Sequence, residues 1–237
     1  METKRQNTTQ VSQSTSDEST EKAFSPFKEF YSLLDQGKLE EAIVLLKKAG
    51  PCWEKANLLG CYHAELMEFY TAEKEFLEAL RHDPCNSETL CNLAKLYNDF
   101  FQPYEAKKYL ELYLQKEPND AAALFYYAIV LLDLNLEGDA YEVLKKTYVI
   151  NPSDVYVIIN IALIVLHKKK RPKAALRMLK KAASISPADS EALFRLAGIA
   201  WELGEESTYF NAREMLQLID PEMCAELDDQ TERQTWL

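Results

Sequence analysis

Small and large apolar residues recur along this chain on a fixed clock. A small residue stands at Gly60, Ala94, Ala128, Ala162 and Ala197, each directly after a larger apolar or aromatic one at Leu59, Leu93, Tyr127, Ile161 and Leu196. A second small residue follows at Ala72, Ala106, Ala140 and Ala175, with Phe76, Leu110, Leu144 and Leu179 four positions on. Residues four apart share one face of a helix, so each period predicts two helices whose small residues let the axes approach closely. The punctuation keeps the same time. Prolines at Pro84, Pro118, Pro152, Pro187 and Pro221 lie 34 or 35 residues apart, and Asn86, Asp120, Asp154 and Asp189 follow the first four by two. The proline stops one helix and the Asn or Asp caps the next. With only 6 glycines in 237 residues, against 9 prolines, the positive-φ hairpin turns of β-rich folds are scarce. The pattern predicts an all-α protein of repeated helix-turn-helix units.

The unit containing Leu59-Gly60, Ala72, Phe76, Ala79 and Pro84 resembles the tetratricopeptide repeat (TPR) signature: Leu-Gly early in helix A, Ala then Phe in helix B, and a closing Pro. Units at 53–86, 87–120, 121–154 and 155–189 follow this pattern. A shorter first unit spans 23–52, where Gln36 to Ala42 looks like the family's turn into helix B. A last unit spans 190–223; it keeps Leu193, Leu196 and Ala197, but Ala212 and Leu216 read as out of step with Pro221. The resemblance implies a right-handed α-solenoid over 23–223. Residues 1–22 contain no Leu, Ile, Phe or Trp and are expected to be a disordered, Ser/Thr-rich tail. Residues 224–237 read as an acidic tail or a short capping helix, ending in Thr235-Trp236-Leu237, which resembles the carboxyl terminus that PDZ domains capture.

Composition narrows the function classes. Hydrophobic side chains make up 47%, yet the longest apolar stretch, Val155 to Leu166, is broken by Asn160 and falls short of the roughly 18–20 residues of a membrane span. No apolar leader core is visible at the N-terminus, so a cytoplasmic protein is expected. Five cysteines, an odd number, read as free thiols. No phosphate-cradling Gly loop, paired CxxC, HExxH or Gly-x-Ser-x-Gly pattern occurs, and no catalytic residue or cofactor is expected. Cys52, Cys61, His63, His82, Cys85 and Cys91 are close in sequence, but their spacing fits no familiar zinc site, so no metal is expected.

Charge is uneven. The chain carries −11, but Val155 to Ala188 holds no acid and eight bases, so the rest carries −19. Lys168, Lys169, Lys170, Arg171, Lys173 and Arg177 form a basic ridge around a turn and into helix B, read either as a solvated edge or as a contact for an acidic partner, phosphate or anionic lipid. Lys168 to Lys173 also resembles a nuclear-localisation signal. Nucleic acid is disfavoured as the main partner, because the remaining surface repels phosphate and the basic run has no interleaved aromatics.

In TPR proteins the A helices line a concave groove, and the resemblance places Phe125, Tyr126, Ile129, Tyr156, Ile159, Asn160, Leu163, Phe194, Arg195 and Trp201 on it. Asn57, Cys61, Glu65, Glu88, Asn92 and Lys95 would make the earlier part of the groove polar and acidic. Such a stripe is either a partner groove or a set of faces buried against neighbouring helices. The two-carboxylate clamp of the chaperone-binding subset is not matched, since Cys61, Ala122 and Tyr126 stand at its places. The expected function is a non-enzymatic interaction scaffold or chaperone that binds a peptide or helix of a protein partner. The alternatives are a secretion-type chaperone for apolar segments and a regulatory subunit docking through the basic ridge.

Overall fold

The structure is a computed structural model and describes residues 26–233, so the N-terminal tail and the terminal Thr-Trp-Leu read above lie outside the described residues. Thirteen helices and no strand occur among the described residues. They pair as α1 (Pro26–Asp35) with α2 (Leu39–Lys48), α3 (Trp53–Glu65) with α4 (Phe69–His82), and α5 (Ser87–Asp99) with α6 (Pro103–Lys116). Then come α7 (Ala121–Asp133) with α8 (Glu137–Ile150), α9 (Val155–His167) with α10 (Pro172–Ile185), and α11 (Ser190–Glu202) with α12 (Glu206–Ile219). A last helix, α13 (Pro221–Arg233), packs on both α11 and α12. None of these helices is long and apolar enough to cross a membrane.

Local chemistry starts α3, α5, α7, α9 and α11 in the same way. The carboxylates of Asp120, Asp154 and Asp189 and the amide oxygen of Asn86 accept backbone N–H bonds in the first turns of α7, α9, α11 and α5. Such caps contribute about 1 kcal/mol each. At α3 the Cys52 sulfur takes the role, accepting from the Lys55 N–H at 3.5 Å. The A–B turns also repeat. Each is closed by an N–H reaching back over the end of helix A, as in Glu68 to His63 (2.9 Å), Gln102 to Tyr97 (2.8 Å) and Glu205 to Ala200 (2.8 Å). Each passes through one left-handed residue: Gly37, Met67, Phe101, Asn135, Lys170 or Gly204.

Two sequence readings need correction. Pro221 does not close an array; it opens α13, whose first turn is capped by Asp220 accepting from the Met223 N–H at 3.0 Å. Helix α12 is also in step with the other B helices, starting 34 residues after α10. What differs is its content: Tyr209 stands where the others have Ala, and Arg213 where they have Phe or Leu. That arginine makes a two-pronged ion pair with Asp228, its Nε 2.6 Å from Oδ1, and ties α12 to α13. Cys224 and Leu227 of α13 are fully buried, so this helix closes the apolar end of the stack.

The core divides into three clusters. One holds Phe30, Ala42, Ile43, Leu46 and Leu59; a second runs from Phe69 to Val130; the third, much the largest, runs from Ala128 to Leu227. Lysines tie successive inter-repeat loops: Lys116 donates to the Cys85 carbonyl, Lys146 to Pro118 and Lys181 to Pro152.

A close crossing is at Gly60, where an added Cβ would sit 2.6 Å from the ring of the buried Phe76. Gly60→Ala is therefore expected to cost about 1–2 kcal/mol in urea melts despite the better helix propensity of Ala. In a Phe76→Leu background, which frees the space, the same substitution should be neutral or stabilising. An equal cost in both backgrounds would mean that this ring does not set the crossing.

Candidate partner-binding surfaces

Helices α3 and α5, and likewise α9 and α11, touch across the repeat boundary. Successive B helices make no contact as large as these among the described residues, so the A helices lie on the inside of the curve. Side chains on that inside face meet one of two fates, set by whether a neighbouring A helix reaches them.

At the aromatic end, the residues the sequence grouped together are sorted by burial. Tyr126 of α7 (41% exposed), Tyr156 of α9 (56%) and Trp201 of α11 (44%) present open aromatic surface. Phe125, Ile129 and Leu163 are half-buried, and Phe125 and Leu163 pack onto the large cluster. Ile159 (3%) and Phe194 (5%) are buried within that cluster. Their reading as contact residues is corrected: they fill the core where α9 and α11 meet. Asn160 donates its side-chain amide to the Tyr156 carbonyl at 2.9 Å, and Arg195 lies 2.7 Å from Glu191 with its guanidinium 5.6 Å from the Phe194 ring.

The polar end is a bonded network. Asn57, buried, donates to Glu88 at 2.8 Å, and Asn92 donates to Asn57 at 3.2 Å and to the Cys61 sulfur at 3.4 Å. This ladder fastens α3 to α5, so Asn57 is a structural tie and has no surface to offer a ligand. Beside it, a cleft of about 210 Å³ is lined by Cys61, Glu65, Asn92, Lys95 and Asp99. Burial, with help from the carboxylates of Glu88 and Glu65, pushes the Cys61 thiol up to about 11.

All six ridge residues are exposed. Lys168 is paired with Glu137 at 2.7 Å, and the Lys169 ammonium lies 3.4 Å above the centre of the Tyr141 ring. Arg171, Lys173 and Arg177 have no carboxylate at ion-pair distance among the described residues. Arg171 and Arg177 line a cleft of about 390 Å³ with Tyr141, Val165, Lys169 and Ala174.

The cysteine and histidine set is dispersed over ordinary roles. Cys52 caps α3, His63 pairs with Glu68 at 2.7 Å, and no group among the described residues is arranged to hold a metal. Sequence reasoning passed over Met67, Tyr70, Phe101 and Tyr104, which stand exposed at the A–B turns of the second and third repeats. Aligning the turns on Gly37 and Gly204 would have found the first and third of them.

No protein-family model and no curated protein matches the chain. Solved structures do. PilF of Pseudomonas aeruginosa aligns with TM-score 0.72 at 19% identity, over 86% of this chain and 96% of its own. A tetratricopeptide repeat protein of Parabacteroides merdae gives 0.72 at 17%, over 89% and 86%. YrrB, described as a TPR protein with an unusual peptide-binding site, gives 0.59 at 14%, over 84% and 97%. The architecture is the tetratricopeptide-repeat solenoid, a class defined by stacked helix pairs with an inner A-helix face.

The Cys61 environment has a measurable consequence. An unfolded cysteine ionises near 9 and the folded one near 11, so between these values the unfolded chain binds fewer protons. The contribution of Cys61 to stability is therefore complete below pH 9 and lost as pH rises towards 11. Thermal melts across that window should fall more steeply for the parent than for Cys61→Ala. Iodoacetamide at pH 8 should modify the exposed Cys85 well before Cys61.

Proposed function

We propose that the protein is a non-enzymatic interaction scaffold of chaperone type, which holds an apolar or aromatic segment of a partner protein against its A-helix face. One observation carries this reading: Tyr126, Tyr156 and Trp201 expose aromatic surface on the A helices of three successive repeats, where stacking does not require it. Large rings that are already part-ordered give contact area at little entropic cost, as interface anchors do. The peptide-binding site named for YrrB, a solenoid of the same architecture, supports a segment as the ligand.

Partners captured from native extract on the parent protein supply the ligand for a quantitative test. Tyr126→Ala and Tyr156→Ala should each weaken its binding by about 1–2 kcal/mol. They should leave the melting temperature within about 2 °C, since removing a part-exposed ring opens no sealed cavity. Phe194→Ala should instead lower stability by about 3–5 kcal/mol. Tyrosine variants that bind like the parent would remove the groove from consideration.

A second reading, docking of an acidic partner through the ridge, is favoured by the exposed cations Arg171, Lys173 and Arg177, which have no ion-pair partner among the described residues, and by the cleft that the two arginines line. Charge reversal at these three should weaken such a partner most at low ionic strength and leave folding unchanged. A loss that ignores salt would sink the electrostatic account.

A further inference from the structure

One A–B turn departs from the others, and the departure falls in the basic ridge. In five turns the residue just before helix B closes the turn by donating its N–H to the carbonyl five residues back, as in Lys38 to Leu33 and Leu136 to Leu131. Between α9 and α10 that bond runs six residues back, from the Arg171 N–H to the Val165 carbonyl at 3.1 Å. Helix α10 accordingly starts 35 residues after α8, where the other B helices from α4 onwards keep a spacing of 34. The helix that follows is also unusual. Helices α2, α6, α8 and α12 place Glu or Asp in their first turns, where the helix dipole favours anions, and α4 has no charge there. In α10 the place holds Lys173 and no acid.

The cations gathered here converge on the cleft of about 390 Å³ between α8 and α10. Ala174, Arg177, Met178 and Lys181, three and four apart, line it from one face of α10; Lys169 and Arg171 line it from the turn, and Tyr141 from α8. No lining residue is acidic. The two lysines are held by groups that leave their charge intact. Lys169 stands 3.4 Å above the centre of the Tyr141 ring, and Lys181 lies 4.6 Å from the centre of the Tyr148 ring and donates to the Pro152 carbonyl at 3.2 Å. The two arginines have no ion-pair partner among the described residues, because the nearby carboxylates are taken by lysines outside the cleft. Glu142 pairs with Lys145 at 2.9 Å, Glu137 with Lys168 at 2.7 Å and Glu205 with Lys180 at 3.7 Å. Asp139 lies towards Tyr127 of α7, whose phenol is pushed up by burial, by its bond to Glu111 and by Asp139. Four positive charges therefore meet at one cleft with no anion to offset their repulsion.

We propose that this cleft binds a phosphorylated residue of a partner protein, with the phosphate on Arg171 and Arg177 and an apolar part of the same segment against Val165, Ala174 and Met178. The inference rests on the acidic-partner reading and narrows it from a charged edge to one cleft and one anion. A phosphorylated side chain carries about −1.5 to −2 charges at pH 7 and three acceptor oxygens, so it answers several cations where a carboxylate answers one. The planar fork of arginine pairs with two of those oxygens at once. A narrow segment meets these cations alone, whereas a broad anionic bilayer would also face the rest of the chain, which carries −19 outside Val155 to Ala188.

The test uses the full chain and labelled twelve-residue peptides of Ala, Gly and Leu with phosphothreonine, phosphotyrosine, threonine or glutamate at the centre. By fluorescence anisotropy at pH 7.5, at least one phosphopeptide should bind tenfold or more tightly than the glutamate peptide. The margin should shrink at pH 5.5, where the phosphate holds close to one charge. Arg171→Gln and Arg177→Gln should each weaken that phosphopeptide at least tenfold and melt within about 2 °C of the parent, since both residues are exposed. Arg177→Lys, which keeps the charge and loses the fork, should weaken it at least threefold. Lys173→Gln, on the ridge but outside the cleft, should weaken it less than threefold. Equal binding of the phosphopeptides and the glutamate peptide, or a loss in Lys173→Gln as large as in the arginine variants, would overturn the cleft and leave the acidic-partner reading standing. Binding of no peptide would also overturn it, and charge reversal against a partner captured from extract then decides that reading separately. Displacement by inorganic phosphate as effective as by unlabelled phosphopeptide would reduce the cleft to a site for free anions. Capture on phosphatidylserine vesicles without phosphopeptide binding would assign the cations to a membrane surface, against the proposal.

Discussion

No helix pair in this chain can bury its apolar residues alone, and that single constraint organises the molecule. Each B helix before α12 presents a small residue followed by a large one to the A helix before it, and the outer side of the pair must be covered by the next repeat. The crossing at Gly60 and Phe76 is one instance; fully buried alanines at Ala72, Ala106, Ala140 and Ala175 are others. Polar ties refine the stack without building it: the Tyr113 hydroxyl donates to the helix-capping Asp120 at 2.6 Å, and lysines reach the carbonyls of the preceding loop. At the last repeat the constraint meets a free end. There the chain departs from its own pattern, placing Arg213 on an otherwise apolar row so that α13 can be fastened by charge.

The repeat was legible because stacking imposes the same burial on the same position every 34 or 35 residues. The caps at Asn86, Asp120, Asp154 and Asp189 were legible for a similar reason, since helix N-termini leave backbone donors that only a few side chains satisfy. Pro221 misled because proline suits the end of a helix and the first turn of the next equally well. The choice depends on whether anything apolar follows for α13 to bury, and Cys224 and Leu227 are sparse enough to leave an acidic tail and a capping helix both open. Helix α12 misled because Ala212 looks like the small position of the row, a place that Tyr209 in fact occupies.

The surface was less legible than the core. Tyr156 and Ile159 lie on the same helix face in sequence terms, yet one is open and the other buried. The difference is that Ile159 falls within the cluster α9 shares with α11 and Tyr156 does not, and which side chain a neighbouring helix reaches leaves no local mark. Asn57 shows the same limit for polar residues: its type suggests a ligand contact, but the neighbour that claims it, Asn92, is 35 residues away. Met67 and Phe101 were hidden for a different reason. Exposed Met and Phe are unremarkable singly, and become informative only when the backbone conformation they occupy is known.

The partition of the core into three unequal clusters gives the solenoid a mechanical polarity. The first cluster is small, and α2 meets α3 over much less surface than other consecutive repeats share. The third is continuous across the last three repeats and is locked by α13. Pulled from its ends, the molecule is a spring with one compliant joint: it would part between α2 and α3 at a force that leaves the stack from α7 onwards unstretched.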